Sequence, residues 1–171
     1  VLTNKGDSMY MKRLVILIAL ISMIPLSGGL RKAPAFALLS STGSYILKSR
    51  LKGKNLLISF WGINCRPCRI ELPLLVPMAK KYTASKNLKL LLISVNDGSG
   101  CDVNSSSAVL KKIGISEPFL LDTYNVSLKK YNPKKSIPAT FLVNTKGYIV
   151  FQEIGYHKDT VKKLEKAIQK L

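Results

Sequence analysis

The 171-residue chain is poor in the residues on which several kinds of chemistry depend. It has one histidine, His157, which argues against a catalytic histidine relay and against a histidine-rich metal site. Its three cysteines cannot supply two disulfides or a four-cysteine zinc site. No internal repeat or low-complexity tract is present, and with 47% hydrophobic residues the composition is too apolar for a disordered chain. The length suits one domain with a core of its own, so no metal or disulfide staple is needed for folding.

Acidic residues are the other scarcity. Nine Asp and Glu face 27 Lys and Arg, a formal charge of +18. Taking away residues 1–30, which hold three cations and Asp7, leaves 24 basic and 8 acidic side chains. Such a field attracts anionic partners. The cations are scattered, however, and no helix-turn-helix, zinc-finger or RNA-binding signature accompanies them. They read as a solvated basic surface, with a specific anionic partner as the alternative and no nucleic-acid binding expected.

The N-terminus has the parts of an export signal. Met11-Lys12-Arg13 precedes a 13-residue apolar run, Leu14 to Leu26, broken only by Ser22 and Pro25, and Ser27-Gly28-Gly29 follows. A basic start, an apolar segment of about 7–15 residues and a small-residue exit make a secretory signal. The run is short for a span of about 20 residues, although extension to Leu30 allows an uncleaved anchor. Residues 1–10 read as an upstream extension, 11–30 as the signal or anchor, and 33–171 as the working domain, placed outside the cytoplasm.

The remainder alternates strands and helices. Apolar stretches 35–39 and 45–47 flank Ser40-Ser41-Thr42-Gly43, a hairpin signal. Residues 56–61 and 88–95 are short apolar runs of the kind found in buried strands. A helix is expected over 67–82, kinked near Pro73 because proline removes a helix hydrogen bond. Ser105, Ser106 and Ser107 are candidate caps for a helix over 108–113, which Gly114 ends. A strand at 119–121, a helix at 126–131, a hairpin of 139–143 and 148–151, and a helix begun by Asp159 or Thr160 complete the order. The pattern is α/β, one sheet between helices, with an added N-terminal hairpin. A right-handed crossover brings the ends of its two central parallel strands to one edge.

Cys65-Arg66-Pro67-Cys68 falls where the first parallel strand gives way to its helix. A C-x-x-C at that junction reads as a dithiol redox site. Unpaired N–H groups and the helix dipole favour an anion at Cys65, lowering its thiol pKa and supplying the thiolate that attacks. Cys68, one turn on, can resolve a mixed disulfide. Pro67 suits the first turn, where its missing N–H costs nothing. Arg66 and Arg69 add positive charge. Half of a zinc site, or two inert buried thiols, are the competing readings.

The segment from Phe60 through Trp61, the Cys65–Cys68 pair, Glu71 and Pro73 resembles the active-site stretch of the TlpA/ResA-like thiol–disulfide oxidoreductases, thioredoxin-fold proteins of bacterial envelopes. Ala33-Pro34-Ala35-Phe36, Leu51-Lys52-Gly53-Lys54, and Ser136-Ile137-Pro138-Ala139-Thr140-Phe141 match further segments in the same order. The resemblance implies a thioredoxin-like fold, a central mixed sheet flanked by helices. It implies a Cys65–Cys68 redox disulfide, a cis Pro138 beside it, and Trp61, Arg66, Pro67 and Ile137 as active-site neighbours. Glu71 matches an acidic position that assists proton movement, or else is a solvated helix residue. Cofactors and metals are not expected. The implied partners are protein disulfides, apocytochrome c among them, and a membrane-bound electron donor. A disulfide-forming oxidant and a copper or zinc metallochaperone remain alternatives; the peroxidase pattern P-x-x-x-T-x-x-C surrounds none of the cysteines.

Departures from the family pattern are specific. Ser59 stands where thioredoxins carry a buried acid, Asn64 where a Trp is usual, and Ser136 where a Gly is common. Cys101, just past the second parallel strand, is a structural thiol, a third redox partner or a site of intermolecular disulfide.

Overall fold

The computed structural model describes residues 30–171. The extension at 1–10 and nearly all of the signal or anchor at 11–30 lie outside the described residues. Among those described, no helix is long and apolar enough to cross a membrane.

Seven strands form one sheet in the order β2-β1-β5-β4-β3-β6-β7. They are β1 (Ala37–Ser40), β2 (Tyr45–Leu47), β3 (Asn55–Gly62), β4 (Leu88–Val95), β5 (Phe119–Asp122), β6 (Ala139–Val143) and β7 (Ile149–Ile154). The helices are α1 (Arg66–Lys81), α2 (Val103–Lys112), α3 (Val126–Tyr131) and α4 (Thr160–Gln169). β3, β4 and β5 run parallel; every other pairing, including β1 with β2, is antiparallel. The sheet is therefore mixed, and its parallel strands end at a common edge.

β3 lies inside the sheet, between β4 and β6, and is buried along its whole length. Strand geometry sends alternate side chains to opposite faces. Leu56, Ile58 and Phe60 join Leu91, Ile93, Tyr131 and Phe141 in one core. Leu57 faces the other way toward Leu75, Met78, Leu164 and Ile168 of α1 and α4, and Trp61 toward Leu72, Leu110 and Phe119. Burial on both faces explains why β3 and β4 read as continuous apolar runs rather than alternating ones.

One helix agrees with expectation in extent and another differs. α1 spans Arg66–Lys81 with Pro73 and Pro77 both inside it, its stripe of Cys68, Leu72, Leu75, Val76 and Ala79 buried. α2 begins at Val103, not 108: Asp102 is its cap, accepting the Ser105 N–H at 2.9 Å. The serines lie inside the helix, and Ser106 turns inward to share a buried 2.8 Å hydrogen bond with Ser94.

Candidate active site

Gly62 ends β3, and three residues later Cys65 caps α1. The Cys65 Sγ accepts the Cys68 backbone N–H at 3.2 Å. That is the arrangement in which free N–H groups stabilise negative charge on sulfur. The two cysteines are joined as a disulfide with Cα atoms 5.2 Å apart. Their exposure differs: Cys65 retains 8% and Cys68 none. Arg66 is exposed, and Pro67 is half-buried at the second helical position.

The turn leading into Cys65 is pinned from a neighbouring loop. Asp97, past the end of β4, accepts the Asn64 N–H at 2.7 Å, and the Asn64 side-chain amide reaches Ser99. This packing requires Gly62 to lack a side chain, since a Cβ there would lie 2.8 Å from the Asp97 carboxyl carbon. Arg69 donates to the Ile63 carbonyl, so its guanidinium holds the same turn. Asp97 and Ser99 were not candidates from sequence. The only available signal was the Asp-Gly-Ser-Gly loop at the end of a parallel strand.

Beneath the dithiol, Trp61 is fully buried and meets Phe119 edge to face, ring centroids 6.3 Å apart. Both cysteines belong to this apolar cluster, and Ile137 packs against it. The Ile137–Pro138 bond is cis. The Pro138 carbonyl accepts the Gly155 N–H at 2.8 Å and is thereby occupied within the fold.

Glu71 is not a solvated helix residue. It is 1% exposed, and its Oε1 accepts the Thr140 hydroxyl at 2.9 Å while Oε2 has no partner among the described residues. Burial pushes its carboxyl above the ordinary range; the Thr140 hydrogen bond pulls the other way. Glu153 raises it further and His157 lowers it, more weakly. Thr140 pairs across the sheet with Ser59 on one side and Glu153 on the other, so the three side chains form a row on one face. The Ser59 hydroxyl is also buried without a partner among the described residues. An acid is thus supplied by α1 instead of β3. Thr140 appeared in sequence only as part of a matching segment, because its pairing with Glu71 spans 69 residues.

Cys101 is buried, and its thiol donates to the Ser94 carbonyl at 3.2 Å. Burial holds that thiol above its ordinary pKa, against weaker hydrogen-bond effects. It therefore lacks the thiolate character of a reactive cysteine.

The AhpC/TSA family model matches residues 30–152. Thiol-disulfide oxidoreductase ResA of Bacillus subtilis (strain 168) is 36% identical over 121 residues, covering 69% of this chain and 63% of that protein. The thioredoxin-like protein YneN of the same organism is 30% identical, covering 81% of this chain and 77% of its own length. In three dimensions the chain is similar to a thiol:disulfide interchange protein of the thioredoxin family from Chlorobium tepidum TLS. That likeness has a TM-score of 0.67 at 21% identity, covers 84% and 97% of the two chains, and speaks for the fold. With its C-x-x-C at the head of α1 in a thioredoxin-like sheet, the chain belongs to the AhpC/TSA family and stands among its ResA-like thiol–disulfide oxidoreductases.

Proposed function

We propose that this protein works outside the cytoplasm as a reductant of disulfides in other proteins, held at the membrane by its N-terminal segment or released by signal cleavage. The observation that carries the reading is the unequal pair at the head of α1: a Cys65 that keeps 8% exposure, its sulfur accepting a backbone N–H, over a fully buried Cys68. In the reduced protein, the Cys65 thiolate attacks one sulfur of a client disulfide. The client's other sulfur leaves as thiolate and takes a proton. Cys68 then attacks the Cys65 sulfur, releasing the second client thiol and closing the Cys65–Cys68 disulfide. Two electrons from a membrane-bound donor reopen it.

Glu71 takes and returns the Cys68 proton, a role supported by its burial one turn beyond Cys68 and its raised pKa. Ile137 and the cis Pro138 form the edge along which an extended client lies. Because the Pro138 carbonyl is taken by Gly155, the backbone of Ile137 is the part left to meet the client. Trp61 supports the dithiol from below, and Arg66 and Pro67 form the surface beside Cys65. The client class is apocytochrome c, whose C-x-x-C-H thiols must be reduced for haem attachment. That choice rests on the likeness to ResA.

Equilibration with glutathione buffers tests the direction of exchange. The expected reduction potential is on the order of −270 mV, or somewhat higher; a value near the −120 mV of a strong oxidant would turn the assignment into disulfide formation. An oxidised peptide carrying C-x-x-C-H should be reduced faster than an unrelated peptide of equal loop size. Equal rates would remove the apocytochrome client.

A further inference from the structure

The parallel strands bring the dithiol to their C-terminal ends. Their opposite ends, at Asn55, Leu88 and Phe119, form a floor on the far side of the molecule. There the turn 52–54 meets the β6–β7 turn, and a cleft is lined by Lys32, Lys48, Lys52, Lys54 and Lys146. A second cleft shares Asn144, Thr145 and Lys146 with it and adds Lys163, Lys166 and Lys170. Among the described residues, no acidic side chain lines either cleft. Lys163 is paired with Asp159 at 2.9 Å; among the described residues, none of the other seven lysines has an ion-pair partner. Their crowding is physical: the half-buried Lys48 ammonium is held below its ordinary pKa by burial and by the charge of Lys32. Like charges gathered this closely repel, and an external layer of anions relieves the repulsion.

The chain enters the fold at this same floor. The Arg31 carbonyl accepts the Ile149 N–H and the Ala33 N–H donates to Gly147, both at 2.9 Å, with Lys32 bridged to Tyr148 between them. Leu26, the last residue of the apolar run, is four residues before Leu30. Four residues span at most about 14 Å. A run held in a bilayer therefore keeps the floor close to the headgroups, within reach of their surface potential.

We propose that the lysine-lined floor docks on the anionic headgroups of a lipid bilayer and presents Cys65 on the side away from it. The proposal extends the membrane-held form of the proposed function by naming the surface that faces the membrane.

The test is a lysine acetylation footprint of the full chain, read residue by residue by mass spectrometry. The chain is placed on phosphatidylcholine vesicles with and without phosphatidylglycerol, at low and high salt. Lys48, Lys52, Lys54, Lys146, Lys166 and Lys170 should acetylate several-fold more slowly on the anionic vesicles at low salt, and the difference should vanish at high salt. Lys134, Lys135 and Lys158, which adjoin the dithiol edge, should be unaffected. Equal floor rates on both vesicles would overturn the proposal, as would equal slowing of those three lysines. Protection by soluble polyphosphate as strong as that by vesicles would assign the surface to a soluble polyanion and also overturn it. Retention on vesicles after an alkaline wash reports the anchor separately, so a cleaved or uninserted N-terminus is distinguishable from a floor that does not dock.

Discussion

The two edges of the parallel sheet use polar groups in different ways. At the dithiol edge the acids are committed one by one to backbone or side-chain partners. Asp97 holds Asn64, Asp102 caps α2, and the buried Asp122 accepts the Ser127 and Leu128 N–H groups at the head of α3. Glu71 is tied to Thr140. At the floor, turns are made by Gly53 and Gly147, with φ of +78° and +85°, and the lysines around them have no ion-pair partner among the described residues. Glycine takes such angles without the steric cost that other residues bear. Acidic side chains thus build the local backbone at one edge, whereas at the other neutral amides do so: Asn55 and Asn87 donate to the Lys86 and Gly53 carbonyls, and Asn144 accepts the Lys146 and Tyr148 N–H groups. Substituting the acids of the first edge should disturb structure and chemistry together, and substituting the lysines of the second should disturb neither in solution.

The largest effect is expected for Cys65→Ser. Protein-disulfide reduction, followed by the precipitation of a reduced substrate, should fall to background, because the Cys101 thiol donates to the Ser94 carbonyl, is held above its ordinary pKa by burial, and cannot replace the lost thiolate. Residual turnover near the parent rate would move the attacking role elsewhere.

Glu71→Gln comes next. Loss of the proton carrier beside Cys68 should slow turnover on the order of 10²-fold. The same variant carries a pH signature. Burial raises the Glu71 pKa, so between the ordinary glutamate value and its own the native state holds a proton that the unfolded chain has released. Stability of the parent therefore falls as pH rises through that window. Glutamine removes the fall, and the Tm of the variant relative to the parent should increase with pH across it. A difference that does not change with pH would contradict the buried, protonatable carboxyl.

Asp97→Ala should cost about 1–2 kcal/mol, measured by urea denaturation, through loss of the acceptor for Asn64. It should also slow exchange by loosening the turn before Cys65. Lys52→Gln, at the other edge, should leave both Tm and the reduction of small disulfides unchanged. A loss there comparable to that of Asp97→Ala would erase the contrast between the edges.

Much of this was legible in the sequence because it is local. The strand at 88–95, the helix at 126–131 and the strand at 139–143 agree with the structure residue for residue. Each is bounded by turn residues and marked by an uninterrupted apolar or helical pattern. The dithiol itself needs only a strand, a turn and a helix start. The first turn of α2 was hidden because Val103-Asn104-Ser105-Ser106-Ser107 has weak helix propensity, and its stability comes from Asp102 and from Ser94 on a different element. Within the site, Glu71 and Asp97 were ambiguous or silent for the same reason. Their partners, Thr140 and Asn64, are 69 and 33 residues away, and only the closed sheet brings them together.

The central claim is a division of labour between Cys65, the partly exposed helix cap that attacks, and a fully buried Cys68 that resolves. Cys68→Ser incubated with an oxidised client protein and analysed by non-reducing mass spectrometry tests it most directly. The account predicts a stable one-to-one mixed disulfide through Cys65, with turnover stopped at that adduct. Normal turnover, or an adduct carried by Cys101 in place of Cys65, would contradict it.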